Sequence, residues 1–213
     1  ASGNLGPAVL QELLNAGFQV TVLTRAGKAS QFDSRAHVVE VKYDSMESLS
    51  SALAGHDVVV NTLGAIPRDI HLRLIDAAVA AQIPRFIPSE FGSDTTNANA
   101  ANLPGFADKV AIAQYLDDLS RECKLTYTRL LTGPFLDWGL MAKFLIDLSG
   151  PVVDLYDGGD RKFSTTTLSG AVKAVGGIIR HLDATENQGV YVSERIEYKI
   201  PHPLFCPVVE SLD

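Results

Sequence analysis

The chain has 213 residues, which is enough for one substantial core, or for one domain and part of a second. Hydrophobic residues make up 46% and charged residues 20%, a globular composition that argues against disorder. The formal net charge is -7 and no basic tract stands out, so direct contact with nucleic acid is not expected. No apolar run approaches the roughly 20 residues of a membrane-spanning helix, and no secretory signal pattern is visible.

The sequence contains two cysteines, Cys123 and Cys206, without the spacing of a metal site. The five histidines show no such spacing either. We therefore expect no bound metal and a reducing compartment such as the cytoplasm, although a bond between the two cysteines stays open.

Helical and strand-like segments alternate along most of the chain up to residue 150. A turn at residues 1–6 leads into a helix that opens near Pro7, where a missing N–H costs nothing, and ends near Gly17. The apolar periodicity then predicts strands at 18–24, 37–41, 57–61, 84–88 and 125–131, and helices at 46–54, 70–81, 106–122 and 136–148. This alternation predicts an α/β fold, a Rossmann-type, doubly wound parallel sheet with helices on both faces.

The pattern changes past Gly150. It predicts a strand–turn–strand hairpin with strands at 152–156 and 161–166, a helix at 167–181 and a short strand at 190–193. The proline-rich tail from Ile200 is assigned no element. We therefore divide the chain into a larger domain, residues 1–150, and a smaller C-terminal region, residues 151–213, which is incomplete as a substrate-binding part.

The turn at the head of the chain carries the first candidate site. Gly3 and Gly6 have the spacing of the second and third glycines of G-x-x-G-x-x-G, so the first glycine and the strand before it would precede residue 1. We expect this first strand of the sheet to be missing from the sequence. The turn and the helix N-terminus would hold a pyrophosphate with backbone N–H groups, using Ser2, Gly3, Asn4, Leu5 and Gly6. The alternative is a plain tight turn.

Two further loops fit the same ligand. Arg25 follows the strand at 18–24, where NAD-binding folds carry an acidic residue, and a guanidinium there favours the 2′-phosphate of NADP(H). Lys28 could assist; otherwise both are solvated cations. Leu63 and Gly64 follow the strand at 57–61, where a small residue lets the ribose and phosphates pass close to the backbone. A simple loop glycine is the alternative.

The most specific segment is R-F-I-P-S-E-F-G at residues 85–92. It resembles the corresponding segment of the NmrA-like, isoflavone-reductase-like branch of the atypical short-chain dehydrogenases. The turn at 1–6, the pair Thr24 and Arg25, and F-A-D-K at 106–109 occur in the matching order. The resemblance covers residues 1 to about 150 well and continues more loosely to about 195.

The resemblance implies a Rossmann domain that binds NADP(H) and a smaller C-terminal part that closes over the substrate. It places Ser89, Glu90 and Phe91 beside the nicotinamide. Lys109 matches the functional lysine of the family, which would hold the nicotinamide ribose and assist proton transfer. From the residues alone, Lys109 lies at the margin of an apolar helix stripe, where an apolar or cationic neighbour would lower its pKa. The alternative is an exposed lysine.

One departure limits the chemistry. Typical short-chain dehydrogenases carry a tyrosine four residues before the lysine, and Gly105 stands there, so Tyr-x-x-x-Lys carbonyl chemistry is not expected. Tyr115 and Tyr127 are interpreted as packing or strand residues. Trp138, near Phe135, could line the substrate cleft, but packing in the core is the favoured interpretation.

Three functional hypotheses follow. The first is an NADPH-dependent reductase of a small, aromatic or carbonyl-derived substrate. The second is an NmrA-like redox sensor that binds NAD(P) and acts on a protein partner without turnover. The third is a shortened product that binds nothing well. The oligomeric state stays open.

Overall fold

The computed structural model describes residues 2–28, 32–64, 66–147, 149–150 and 162–198. The strands in these ranges are β1 (Thr21–Thr24), β2 (His37–Glu40), β3 (Val58–Val60), β4 (Arg85–Ile87), β5 (Thr126–Leu131), β6 (Lys162–Thr165), β7 (Gln188–Tyr191) and β8 (Arg195–Tyr198). The α-helices are α1 (Gly6–Asn15), α2 (Met46–Leu53), α3 (Arg68–Ala80), α4 (Ala98–Ala101), α5 (Ala107–Arg121), α6 (Leu136–Met141) and α7 (Leu168–Arg180). Within these same ranges, no helix has the length and apolarity needed to cross a membrane.

Parallel strands form the centre of the molecule, as the alternation of elements predicts. β1 pairs with β2, and four further strands pair in the order β3-β4-β5-β7, all of them parallel. β7 lies slightly before its predicted position, and by pairing with β5 it extends the parallel sheet past residue 150. β6 and β8 form a separate antiparallel pair.

Helices cover both faces of this sheet because successive residues of a strand point to opposite sides. On one face, Phe86 and Tyr127 pack against α2, α3 and α5. On the other face, Ile87 and Leu130 pack against α1 and α7. The central strands are therefore buried on both sides, and the predicted Rossmann-type, doubly wound architecture is confirmed.

Arg85, the first residue of the most specific sequence segment, serves the fold. Its side chain is 3% exposed and lies at the start of β4. The guanidinium donates to Thr126 Oγ1 at 2.8 Å, to Thr128 Oγ1 at 2.9 Å and to the carbonyl of Leu182 at 2.8 Å. A buried guanidinium with these acceptors joins β4, β5 and the segment after α7.

The helix predicted at 136–148 is wrong in its length, because α6 ends at Met141. Lys143 has a left-handed φ of 57°, and the N–H groups of Phe144 and Leu145 bond back to the carbonyl of Gly139 at 2.8 and 3.0 Å. A left-handed residue of this kind caps a helix. Apolar periodicity does not detect such a cap when the residue is not glycine.

The predicted C-terminal hairpin falls only partly within the described residues. β6 corresponds to its second predicted strand and pairs with β8, which the sequence pattern did not predict. The first predicted strand, at 152–156, and the tail from Ile200 lie outside the described residues.

A gap separates β1 from β3 in the middle of the sheet. In β1, the carbonyls of Val20 and Thr24 accept hydrogen bonds from the β2 side at 2.9 and 2.8 Å, and alternate residues of a parallel strand bond to opposite sides. The main-chain groups of Thr21 therefore face β3, and no strand pairs with this edge among the described residues. A cavity of about 350 Å³ lies between the two strands and is lined by both. This is the place that the expected first strand would take.

We predict that an apolar strand of about five residues, supplied ahead of Ser2, will stabilise the protein. It would add main-chain hydrogen bonds on both sides, each contributing about 0.5–1.5 kcal/mol, and would bury the apolar walls of the cavity. Urea unfolding should show a gain of about 2 kcal/mol or more over the unextended chain. An extension of equal length made of glycine and serine is the control. If the two extended chains have the same free energy of unfolding, the added strand does not fill the gap between β1 and β3.

Candidate functional site

Main-chain hydrogen bonds hold the loop that follows β4. Residues 89–92 form this loop, which we call the 89–92 loop. Phe91 N–H donates to the carbonyl of Leu130 at 3.0 Å, and the carbonyl of Gly92 accepts from Thr132 and Gly133 at 3.2 and 3.0 Å. The loop is thus fastened to the carboxyl end of β5, the edge of a parallel sheet where ligands bind.

The same loop is joined to the segment after β3. Ser89 Oγ donates to the carbonyl of Leu63 at 2.6 Å. Phe91 has a left-handed φ of 38°, which a non-glycine residue keeps only when its surroundings hold it. The bonds on both sides of Phe91 supply that constraint, and the Ser89 bond brings Leu63 and Ser89 together.

Lys109 reaches this loop from the first turn of α5. Its Nζ donates to the main-chain carbonyl of Glu90 at 2.5 Å and lies 3.9 Å from Glu90 Oε2. The Lys109 side chain is 31% exposed and that of Glu90 only 2%. Burial lowers the pKa of Lys109, and the neighbouring Glu90 carboxylate opposes this effect. Lys109 is therefore a half-buried amine, and its interpretation as an exposed lysine is wrong.

A buried pair, Asn61 and His71, lies beside these residues and was not singled out from the sequence. Asn61 Oδ1 accepts from Leu63 N–H at 3.0 Å, which turns its Nδ2 towards His71 Nδ1, also at 3.0 Å. The ring nitrogen Nδ1 is thus the acceptor, and the proton of a neutral ring is assigned to Nε2. Burial lowers the pKa of His71, the Lys109 charge lowers it further, and Gly64 and Asp108 oppose these effects.

A polar residue on an apolar stripe was the signal that could have found His71. In α3 the buried residues His71, Leu74, Ile75 and Ala78 recur at helical spacing, so the sequence already placed a histidine on the core face. Asn61 likewise ends an apolar strand. Metal-ligand spacing identifies neither His71 nor Asn61.

The turn before α1 is more exposed to solvent than the residues around Lys109. Ser2, Gly3 and Asn4 are exposed, Leu5 is half-buried and Gly6 is buried. The first helical hydrogen bond runs from Val9 N–H to the carbonyl of Leu5 at 3.1 Å, and no side chain caps the helix. The N–H groups that precede Val9 in this turn are thus available to an anion.

Arg25 and Lys28 lie beyond the carboxyl end of β1 and are both exposed. Between them, Gly27 N–H donates to Glu40 Oε1 at 2.8 Å, which ties the turn to the end of β2. Among the described residues, no ion pair or hydrogen bond joins Arg25 or Lys28 to the Lys109 group. The structure thus brings together the loops after β3 and β4 with α5, and leaves the two cations on a separate part of the same edge.

The aromatic residues divide into two kinds. Tyr115 donates to Asp76 Oδ1 at 2.5 Å and Tyr127 donates to Asp117 Oδ1, so both are packing residues, as predicted. Trp138 is 39% exposed, so the prediction that it is a core residue is wrong. Its ring centroid lies 6.3 Å from that of Phe144, which is also exposed.

Comparison with known proteins then identifies the family. The model of the NmrA-like family matches residues 1–144. The chain belongs to the NmrA-like family. It is 31% identical over 199 residues to the protein named oxidoreductase poxI of Penicillium oxalicum, a match that covers 90% of this chain and 62% of that protein. It is 35% identical over 199 residues to the protein named oxidoreductase aprR of Aspergillus flavus, with 90% of this chain and 66% of that protein covered.

A solved structure supports the fold. The structure described as AtPrR2 with NADP+ and (+)pinoresinol superimposes with a TM-score of 0.73 at 23% identity, covering 90% of this chain and 67% of that one. The chain spans 62% of the length of the Penicillium protein and 66% of that of the Aspergillus protein. At this level of identity the structural match shows a shared fold.

We predict that Asn61→Ala will destabilise the protein by about 1–3 kcal/mol, because it leaves the buried Nδ1 of His71 without a donor. The same loss should raise the pKa of His71, since Asn61 stabilises the neutral ring. Urea unfolding and NMR titration of the ring test the two effects. Asn99→Ala, at an exposed position, is the control and should change stability by less than about 0.5 kcal/mol. An unchanged His71 titration would refute the pairing.

Proposed function

We propose that the protein is an NADPH-dependent reductase of the isoflavone-reductase-like type, acting on a small, aromatic or carbonyl-derived substrate. The observation that carries this proposal is the Lys109 amine, held by the 89–92 loop at the carboxyl edge of the sheet with a lowered pKa. Relatives named as oxidoreductases, and a structural neighbour described with NADP+ and pinoresinol, support it.

The residues of the first turn fit a pyrophosphate. Backbone N–H groups stand free of side-chain caps at the start of α1, and a Cβ placed on Gly3 or Gly64 would meet no atom within 4 Å. Open space around both glycines leaves room for a ligand to approach the main chain. We assign Ser2, Gly3, Asn4, Leu5 and Gly6 to the pyrophosphate, and Leu63 and Gly64 to the ribose and phosphates next to it.

Arg25 and Lys28 provide the charge that the 2′-phosphate of NADP(H) requires. Both are exposed at the end of β1, where a guanidinium can form paired hydrogen bonds with a phosphate. This local positive charge matters because the chain as a whole carries a net charge of -7. We therefore propose NADP(H) rather than NAD(H).

Lys109 acts as the general acid in the proposed reaction. A bound nicotinamide would supply the hydride, and Ser89, Glu90 and Phe91 would hold it. The lowered pKa of Lys109 brings its proton closer to exchange near neutral pH, so the amine can hold the ribose and assist a proton transfer to the substrate. The position four residues before Lys109 is Gly105, so the amine takes this role without the tyrosine of typical short-chain dehydrogenases.

The substrate class follows from the exposed aromatic pair. Trp138 and Phe144 come after the carboxyl end of β5, to which the 89–92 loop is fastened. Asp137 Oδ1 and Oδ2 both accept from Leu168 N–H at 3.1 Å, which ties α6 to α7. Exposed aromatic rings on an anchored helix and just after its end suit an aromatic ligand. We propose that the C-terminal region, residues 151–213, contributes to this substrate side and that the protein acts in the cytoplasm.

We predict that Arg25→Ala will weaken NADPH about 10–100-fold and change NADH little, because only NADPH carries the 2′-phosphate that the guanidinium contacts. Fluorescence titration with both nucleotides measures this, and Lys42→Ala, at another exposed lysine, is the control. Equal losses for the two nucleotides would rule out the assigned role.

We predict that Lys109→Met will lower turnover by about 10²-fold or more while NADPH still binds, because the amine acts on the proton step. Oxidation of NADPH is followed with aromatic carbonyls and benzylic ethers. Lys124→Met, at the exposed end of α5, is the control and should leave turnover unchanged. Binding of NADPH without turnover by the unaltered protein would favour a sensor that regulates a protein partner.

A further inference from the structure

The carboxyl group of Glu90 is buried beside the site and has no task in the mechanism above. Its side chain is 2% exposed, and Oε2 has no hydrogen-bond partner among the described residues. A buried carboxyl oxygen without a partner carries a large desolvation cost, so it calls for an explanation. The nearest cation is Lys109, whose Nζ lies 3.9 Å from this oxygen.

The main chain and the side chain of Glu90 act on the same amine. The main-chain carbonyl of Glu90 accepts a hydrogen bond from Lys109 Nζ at 2.5 Å, while the carboxyl oxygen Oε2, at 3.9 Å from Nζ, lies just beyond hydrogen-bond distance. Gly92 closes the arrangement, since a Cβ placed there would lie 3.4 Å from the Glu90 carbonyl oxygen and 3.5 Å from Lys109 Nζ. The amine is thus enclosed by the loop that carries the carboxyl group.

Other charged groups surround the two residues. Arg129 on β5 and Asp94 after the loop act on Glu90, and His71 on α3 and Asp108 on α5 lie near Lys109. Burial raises the pKa of Glu90, Lys109 and Arg129 oppose this effect, and Asp94 adds to it. Among the described residues, Lys109 is the only one of these cations that lies within 4 Å of the Glu90 carboxylate.

We propose that Glu90 is a positioning residue for Lys109: its carbonyl oxygen fixes the amine in place, and its carboxyl group controls whether that amine carries a proton. A carboxylate at this distance stabilises the ammonium form, so Lys109 retains the proton that it is to give away. When the proton leaves Lys109 for the substrate, the amine becomes neutral, and a proton from solvent restores the ammonium. The two groups therefore titrate as a coupled unit.

This inference deepens the proposed function, because it gives Lys109 a partner, but its test uses neither cofactor nor substrate. The reactivity of each lysine towards acetic anhydride is measured against pH by mass spectrometry, which gives the pH midpoint at which each amine loses its proton. In Glu90→Gln we expect the Lys109 midpoint to fall by about one pH unit or more, because the carboxylate that favours the ammonium is gone. Glu90→Asp, which keeps the charge, should restore most of the difference.

The chain offers a matched control. Lys124 and Glu122 form an ion pair at 2.5 Å with both side chains more than half exposed. Glu122→Gln should leave the Lys124 midpoint nearly unchanged, because solvent screens an exposed pair. A Lys109 midpoint that is unchanged or raised in folded Glu90→Gln would overturn the proposal.

A reciprocal measurement decides the question if Glu90→Gln does not fold. The Glu90 carboxyl carbon is titrated by NMR in the unaltered protein and in Lys109→Met. Coupling requires the Glu90 midpoint to rise when the Lys109 charge is removed. Identical Glu90 titrations in the two proteins would overturn the proposal, whatever the outcome of the cofactor and turnover experiments.

Discussion

The attachment of the 89–92 loop to the end of β5 is the constraint on which the site depends. Three main-chain hydrogen bonds, from Phe91 to Leu130 and from Thr132 and Gly133 to Gly92, join the loop to the end of β5 and include a parallel bridge between Gly92 and Leu131. Because these bonds join backbone atoms, they hold the loop without any contribution from its side chains. The Glu90 carbonyl therefore has a defined position, and Lys109 a defined acceptor.

The two parts of the candidate site are held to different degrees. The surroundings of Lys109 are connected and largely buried. They consist of the 89–92 loop, the pair Asn61 and His71, and the hydrogen bond from Ser89 to Leu63. By contrast, Arg25 and residues 2–4 of the turn before α1 are exposed, and Gly6 lines the cavity between β1 and β3. Charged groups left in solvent suit the binding of a phosphate, whereas a buried amine suits a proton transfer.

Most of the elements could be predicted from periodicity, because each central strand and its helices bury a continuous apolar pattern. β3, β4 and β5 and the helices before them fall within a few residues of their predicted bounds. The failures have two causes. The end of α6 at a left-handed Lys143 is local but leaves no mark on apolar periodicity, and β8 pairs with β6, which is remote in the sequence.

By itself, the sequence determined the parallel α/β architecture, the order of the loops at the carboxyl edge and the family segment at residues 85–92, because periodicity and short motifs are local properties. Only the tertiary structure decided which side chains meet. Burial and distance between remote elements set the pairing of Lys109 with Glu90 and the acceptor role of His71, and neither is encoded in spacing along the chain.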